Sequence, residues 1–155
     1  MVFRRLVMAD RQLDEWDIAH GGLRSLSSRE IKVFWDGYLA RRNDPRIRHG
    51  SLYSRWRHIA DDLVVSLYLT NRSVGLFVRG QRGEGYATTA NRLIAFEPAL
   101  GKALGVSLRG EYALCYLSNH PVAMTDPANW PRAYAWLERQ EKHFSHVLSD
   151  MVVGA

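Results

Sequence analysis

The stretch Leu63-Val64-Val65-Ser66-Leu67-Tyr68-Leu69-Thr70-Asn71-Arg72-Ser73-Val74-Gly75-Leu76-Phe77-Val78-Arg79-Gly80 decides the fold. Leu63, Val65, Leu67 and Leu69 alternate with Val64, Ser66, Tyr68 and Thr70, and a period of two places each set on its own face of a strand. Beyond Asn71-Arg72 the alternation resumes, with Val74, Leu76 and Val78 against Gly75, Phe77 and Arg79. Two strands folded about Asn71-Arg72 are predicted, with the aliphatic set facing a core. Asn accepts the positive φ of a tight hairpin turn and Arg accepts it poorly, so a loop longer than two residues, or a bulge, is expected there.

Upstream, Ser27 and Glu30 form a capping-box pattern ahead of Ile31, Phe34, Trp35, Tyr38 and Leu39, whose spacing is that of one helix face. Asn43-Asp44-Pro45 stops this helix, because a residue before proline is pushed out of the helical region. Asp61-Asp62 reads as the turn into the central hairpin. Downstream, Gly80–Gly85 is a glycine-rich connection without the Gly-Lys-Ser/Thr ending of a phosphate-cradling loop. A helix near 87–104 follows, capped by Thr88 or Thr89, interrupted at Pro98 and stopped at Gly105. Glu111–Asn119 alternates as a fourth strand. A long helix near 127–150 then carries Trp130, Tyr134, Leu137, Phe144, Leu148 and Met151 on one stripe, interrupted by Glu141.

The expected architecture is α+β: a largely antiparallel sheet of about four strands packed with helices, in the order αβββαβα. The 155 residues make one domain, 1–155, with a core over 27–151 and an N-terminal extension over 1–26. Three of the four tryptophans Trp35, Trp56, Trp130 and Trp136 are expected to be mostly buried.

Hydrophobic residues are 46% of the chain and charged residues 24%, an ordinary globular balance. No uncharged apolar run approaches the ~20 residues that cross a bilayer, so no membrane partner is expected. Arg4 and Arg5 are followed by Met8-Ala9-Asp10 rather than a signal-peptide apolar region, and a cytoplasmic location is expected. The single Cys115 excludes an internal disulfide and a cysteine zinc site.

The net charge of +5 and pI near 9.7 permit attraction to nucleic acid or another polyanion. Between Arg41 and His58 six arginines face one aspartate, a local +5 equal to that of the whole chain. Two readings of this stretch stand side by side. In one, Arg41, Arg42, Arg46, Arg48, Tyr53, Arg55 and Arg57 form a phosphate-binding surface, with Tyr53 and Trp56 free to stack on bases. In the other, Trp56 and Ile59 face the core while Arg55 and Arg57 face water.

No catalytic or metal-ligating residues and no cofactor are expected. His143 and His146 are three apart, but no Glu-flanked zinc pattern accompanies them, and no Gly-x-Ser-x-Gly elbow is present. A non-enzymatic binding domain acting near nucleic acid is the first functional expectation. A protein-interaction domain that homodimerises without nucleic-acid contact, through aromatic positions of the terminal helix or through the N-terminal segment that carries Phe3, Leu13 and Trp16, is the second, and a divergent enzyme the third.

From about Ser28 to Met151 the chain resembles a family of small bacterial and archaeal domains without an assigned activity, found alone or at the C-terminal end of nuclease-like proteins. Phe34-Trp35, Trp56, Leu100-Gly101, Leu104-Gly105, Trp130-Pro131 and Trp136-Leu137 carry the resemblance. These are packing positions, so what it implies is a fold. The element order is also similar to the αβββαβ core of restriction-endonuclease-like enzymes, which hold Mg²⁺ with an Asp on the second strand and a Glu/Asp-x-Lys on the third. Here the third strand, Ser73–Arg79, has neither a carboxylate nor a lysine, so that chemistry is not expected.

Overall fold

The computed structural model describes residues 24–154. The chain folds in the order α1 (Ser28–Arg42), β1 (Ile47–Ser51), β2 (Ser54–Ala60), β3 (Leu63–Leu69), β4 (Ser73–Arg79), α2 (Tyr86–Leu93), α3 (Ala99–Leu104), β5 (Cys115–Pro121) and α4 (Trp130–Leu148), with a final π-helical turn over Ser149–Val153. The class is α+β, as expected. The sheet has five strands rather than four, in the order β1-β2-β3-β4-β5, and every pairing is antiparallel. The added strand is Ile47–Ser51, whose Ile-Arg-His-Gly-Ser composition hides its alternation.

The first three hairpins close over the pairs Leu52-Tyr53, Asp61-Asp62 and Asn71-Arg72. Asn71 and Arg72 avoid the left-handed region altogether, so the anticipated conflict between Arg and positive φ does not arise. Thr70 N–H donates to Ser73 O at 2.9 Å, and Arg72 N–H donates to the Thr70 hydroxyl at 3.2 Å. That side-chain turn sets the bend instead of a glycine.

Leu63, Val65, Leu67 and Leu69 of β3, with Val74, Leu76 and Val78 of β4, form the floor of one core under α1, α2, α3 and α4. Each such side chain contributes roughly 1.5–3 kcal/mol when fully buried. Tyr68 and Phe77 point to the opposite face of the sheet, where Leu114 and Leu117 cover them. On α1 the capping box of Ser27 and Glu30 is formed, and Asn43 ends the helix in the left-handed conformation at φ 48°. Trp35 and Trp56 are buried, whereas Trp130 and Trp136 are half-buried.

Two local expectations are corrected and one is met. Gly85, not Thr88 or Thr89, precedes α2, and Thr89 lies inside the helix with its hydroxyl on Glu84. The interruption expected at Pro98 is present: the helix near 87–104 is two helices, joined by a 3₁₀ turn at Ile94–Phe96 and restarting after Pro98. The last strand starts at Cys115 rather than Glu111, because Tyr112 and Ala113 take positive φ in a 3₁₀ turn over Glu111–Ala113; Tyr116, inside the strand, also has positive φ. The resulting irregularity in the β4–β5 register turns Tyr116 inward beside Cys115, which breaks the alternation expected there. The apolar residues Phe3, Leu13 and Trp16 assigned to a partner interface lie outside the described residues. No helix among the described residues is long and apolar enough to cross a membrane.

Candidate functional site

The six arginines of the basic stretch separate according to the pleat of β1 and β2. Arg55 stands opposite Leu67, and Arg57 opposite both Ile47 and Val65, so these two arginines share the face that carries the aliphatic core. Trp56 stands opposite Arg48 and Ser66, on the other face. This inverts the expectation that Trp56 faces the core while Arg55 and Arg57 face water. Arg55 is 8% exposed and Arg57 6%. Ile59 does pack against the main core.

Buried arginines need partners, because an uncompensated charge costs several kcal/mol. Arg55 Nη1 donates to the carbonyls of Ser51 and Ser54 at 2.7 and 2.8 Å, and its guanidinium lies 5.6 Å from the Trp35 ring centroid. Burial pushes its pKa down. Arg57 sits between two carboxylates, its Nε 3.9 Å from Glu141 Oε2 and 4.0 Å from Asp44 Oδ2, and it donates through Nη1 to His58 O. Glu141, 1% exposed in the middle of α4, accepts a bidentate pair from Arg42, with Nε at 2.7 Å and Nη2 at 3.1 Å. Tyr38 donates to the same carboxylate at 3.4 Å, and burial pushes its phenol pKa well up. Asp44 holds Arg46 through two hydrogen bonds of 3.0 and 2.8 Å, which keep its carboxyl far below the ordinary range. Arg41 pairs with Glu138 at 3.2 Å.

Four of the predicted phosphate-binding arginines, Arg41, Arg42, Arg46 and Arg57, are thus in contact with acidic side chains of α4 or of the α1–β1 turn. Arg55 is sealed under Trp35. Tyr53 is half-buried against the main core. Trp56 is 5% exposed, so it offers no ring to a base and that part of the expectation is corrected.

Arg48 is different. It is exposed on the open face, and residues that the sequence reading did not single out join it there. Arg79, at the end of β4, and Arg82, in the glycine-rich loop, place their guanidinium carbons 4.1 and 4.3 Å from the Trp56 ring centroid. Arg82 Nη2 donates to Gly50 O at 3.1 Å, which ties the loop to the strand bearing Arg48. Gly50 is required at that point, since a Cβ would collide with the Trp56 indole. His58 lies beside them, its ring centroid 6.2 Å from that of Trp56, with a buried Nδ1 that has no hydrogen-bond partner. Burial, followed by the charge of Arg48, pushes the His58 pKa down. Arg79 is pushed down by burial and then by Arg82.

Among the described residues no carboxylate forms an ion pair with Arg48, Arg79 or Arg82. The open face therefore carries three guanidiniums without an ion pair around an indole that holds two of them in place, while Glu84, already paired with Arg92, acts on Arg79 only through space. A signal for Arg79 was present in the sequence, because it shares the parity of Gly75 and Phe77. Arg82 had none, since its position depends on how the loop folds back. No group of three His, Cys, Asp or Glu side chains placed to hold a metal occurs among the described residues, and His143 Nε2 is instead hydrogen-bonded to Ala103 O at 2.9 Å. In comparisons with known proteins, no family model, no curated protein and no solved structure matches the chain.

Proposed function

We propose that the chain is a non-enzymatic binding domain that contacts the phosphate backbone of nucleic acid through the open face of its sheet. The observation that carries this reading is the set Arg48, Arg79 and Arg82, three arginines without a carboxylate partner, two of them seated on Trp56. Burial, and then the charge of Arg82, hold the Arg79 pKa below its ordinary value, and an anion brought between the two guanidiniums relieves that repulsion. Because Trp56 is covered, the contact is to phosphates rather than to bases, and such contacts position a protein without reading sequence.

Binding to a mixed-sequence oligonucleotide, followed by fluorescence anisotropy across a salt series, tests the reading. Three phosphate contacts give a log–log slope near −2 on single strands or about −3 on duplex DNA. Replacing Arg48 and Arg82 by Ala should flatten the slope by roughly two contacts' worth, whereas Arg41→Ala should leave it unchanged. Absence of salt-sensitive binding at low ionic strength, or a slope indifferent to Arg48 and Arg82, overturns it. Arg55 and Arg57 are unsuitable for this experiment, since truncating either leaves buried partners unpaired.

A further inference from the structure

A second basic locus lies across the sheet from Trp56, where the C-terminal half of α4 passes the α1–β1 turn. An open cleft of about 450 Å³ is lined there entirely by charged and polar side chains. Its wall holds the Arg42–Glu141 pair and Arg57, and its mouth carries Arg46, Lys142 and His146. Arg46 and Lys142 are 63% and 59% exposed at the side chain. Counting His146 as neutral, the lining has four cationic side chains (Arg42, Arg46, Arg57, Lys142) against two carboxylates (Asp44, Glu141), a surplus of two positive charges, of which Lys142 is shared at 3.4 Å with Glu138 just outside the lining.

Two lining residues also carry buried polar atoms without a hydrogen-bond partner: Arg57 Nε and Ser145 Oγ. Both residues are 6% exposed. Buried donors are nearly always satisfied, and each one that is not costs about 1–3 kcal/mol. The donor set narrows the occupant. An apolar ligand finds no apolar wall. A metal cation would have to take Asp44 and Glu141 from arginines that already hold them at 2.7–3.1 Å. Acceptors are what Arg57 Nε and Ser145 Oγ lack, and negative charge is what the lining lacks.

We propose that this cleft binds a multiply charged oxyanion of the phosphate class. Ser145 and Arg57 supply donors at the floor, and Arg46 and Lys142 supply charge at the mouth. The site is separate from the Trp56 face and does not rest on the nucleic-acid reading.

The test uses the full chain with inorganic phosphate and pyrophosphate as probes, read by thermal unfolding and by calorimetry against chloride at matched ionic strength. Both probes should raise the unfolding temperature beyond chloride, and pyrophosphate should titrate with one site per chain. Ser145→Ala should weaken that affinity about tenfold, the scale of a lost hydrogen bond to a charged group. Lys142→Ala, an exposed change that leaves the core alone, should weaken it several-fold, and Arg48→Ala with Arg82→Ala should not change it. The proposal is overturned if phosphate and chloride act alike, if the titration is indifferent to both Ser145 and Lys142, or if the effect follows Arg48 and Arg82 instead.

Discussion

The two faces of β2 hold the same residue type under opposite rules. On the helix-covered face Arg57 is buried between Glu141 and Asp44, and Arg55 is tied to backbone carbonyls beneath Trp35. On the open face Arg79 and Arg82 rest on Trp56 near Arg48, and among the described residues none of the three is matched by a carboxylate. In the first arrangement the arginines are held by partners within the chain and act on stability; in the second they have no ion pair among the described residues and lie toward solvent. Basic residues in a run therefore do not share a role. The pleat sorts them, one residue at a time.

Removing Glu141 should separate the faces most sharply. Glu141→Ala leaves Arg42 and Arg57 buried without their common carboxylate, and a loss of about 3–5 kcal/mol is expected in urea unfolding. Oligonucleotide binding per folded molecule should be unchanged. A loss under ~1 kcal/mol would mean that water replaces the carboxylate and that the helix-side cluster is not a closed unit.

The acid limb of the stability profile reports the same cluster. Asp44 has a folded-state pKa below its unfolded value of about 3.9, so its contribution is fully present above that value and fades as pH falls through the range below it. Asp44→Asn should accordingly be destabilising at pH 6 and converge on the parent protein as the pH drops below about 4. Parallel curves down to pH 2 would remove Asp44 from the account.

Gly50→Ala probes the open face from beneath. The new Cβ has to displace the Trp56 indole, and overpacking of this kind costs about 1–3 kcal/mol. Because the indole seats Arg79 and Arg82, salt-dependent binding should weaken as well. Stability lost with binding intact would show that the guanidiniums do not depend on the ring.

The smallest effects belong to the exposed arginines. Arg82→Ala should cost about 0.5–1 kcal/mol for its cation–π contact, and Arg48→Ala should stay within about 0.5 kcal/mol of zero. Either change, if it unfolded the domain, would end the distinction drawn between the two faces.

Much of the fold was legible because it is written in local periodicities. The hairpin of β3 and β4 follows from strict alternation, α1 from its capping box and apolar spacing, and α4 from a stripe behind Trp130-Pro131. β1 was missed because a short edge strand with Arg48 and His49 exposed has too few apolar positions to show a period. The site was less legible. Glu141 was visible as an interruption of the α4 stripe, yet its meaning required knowing that Arg42 and Arg57 arrive beside it from elements about a hundred and about eighty residues upstream.

By itself the sequence determined the α+β class, the antiparallel hairpin at the centre, most helix limits and the presence of a local charge excess, since each depends on neighbours within a few positions. Tertiary structure alone decided which arginines that excess leaves available. The parity of Trp56 relative to Val65 and Leu67 is set by strand register, and pairing register is a non-local choice. Helix α4 then brings Glu141 to Arg42 and Arg57, while the glycine-rich loop brings Arg82 to Trp56. Neutralisation is a matter of distances of a few ångströms between residues far apart in the chain, and Coulomb energy at that range is what separates a structural arginine from one free to bind.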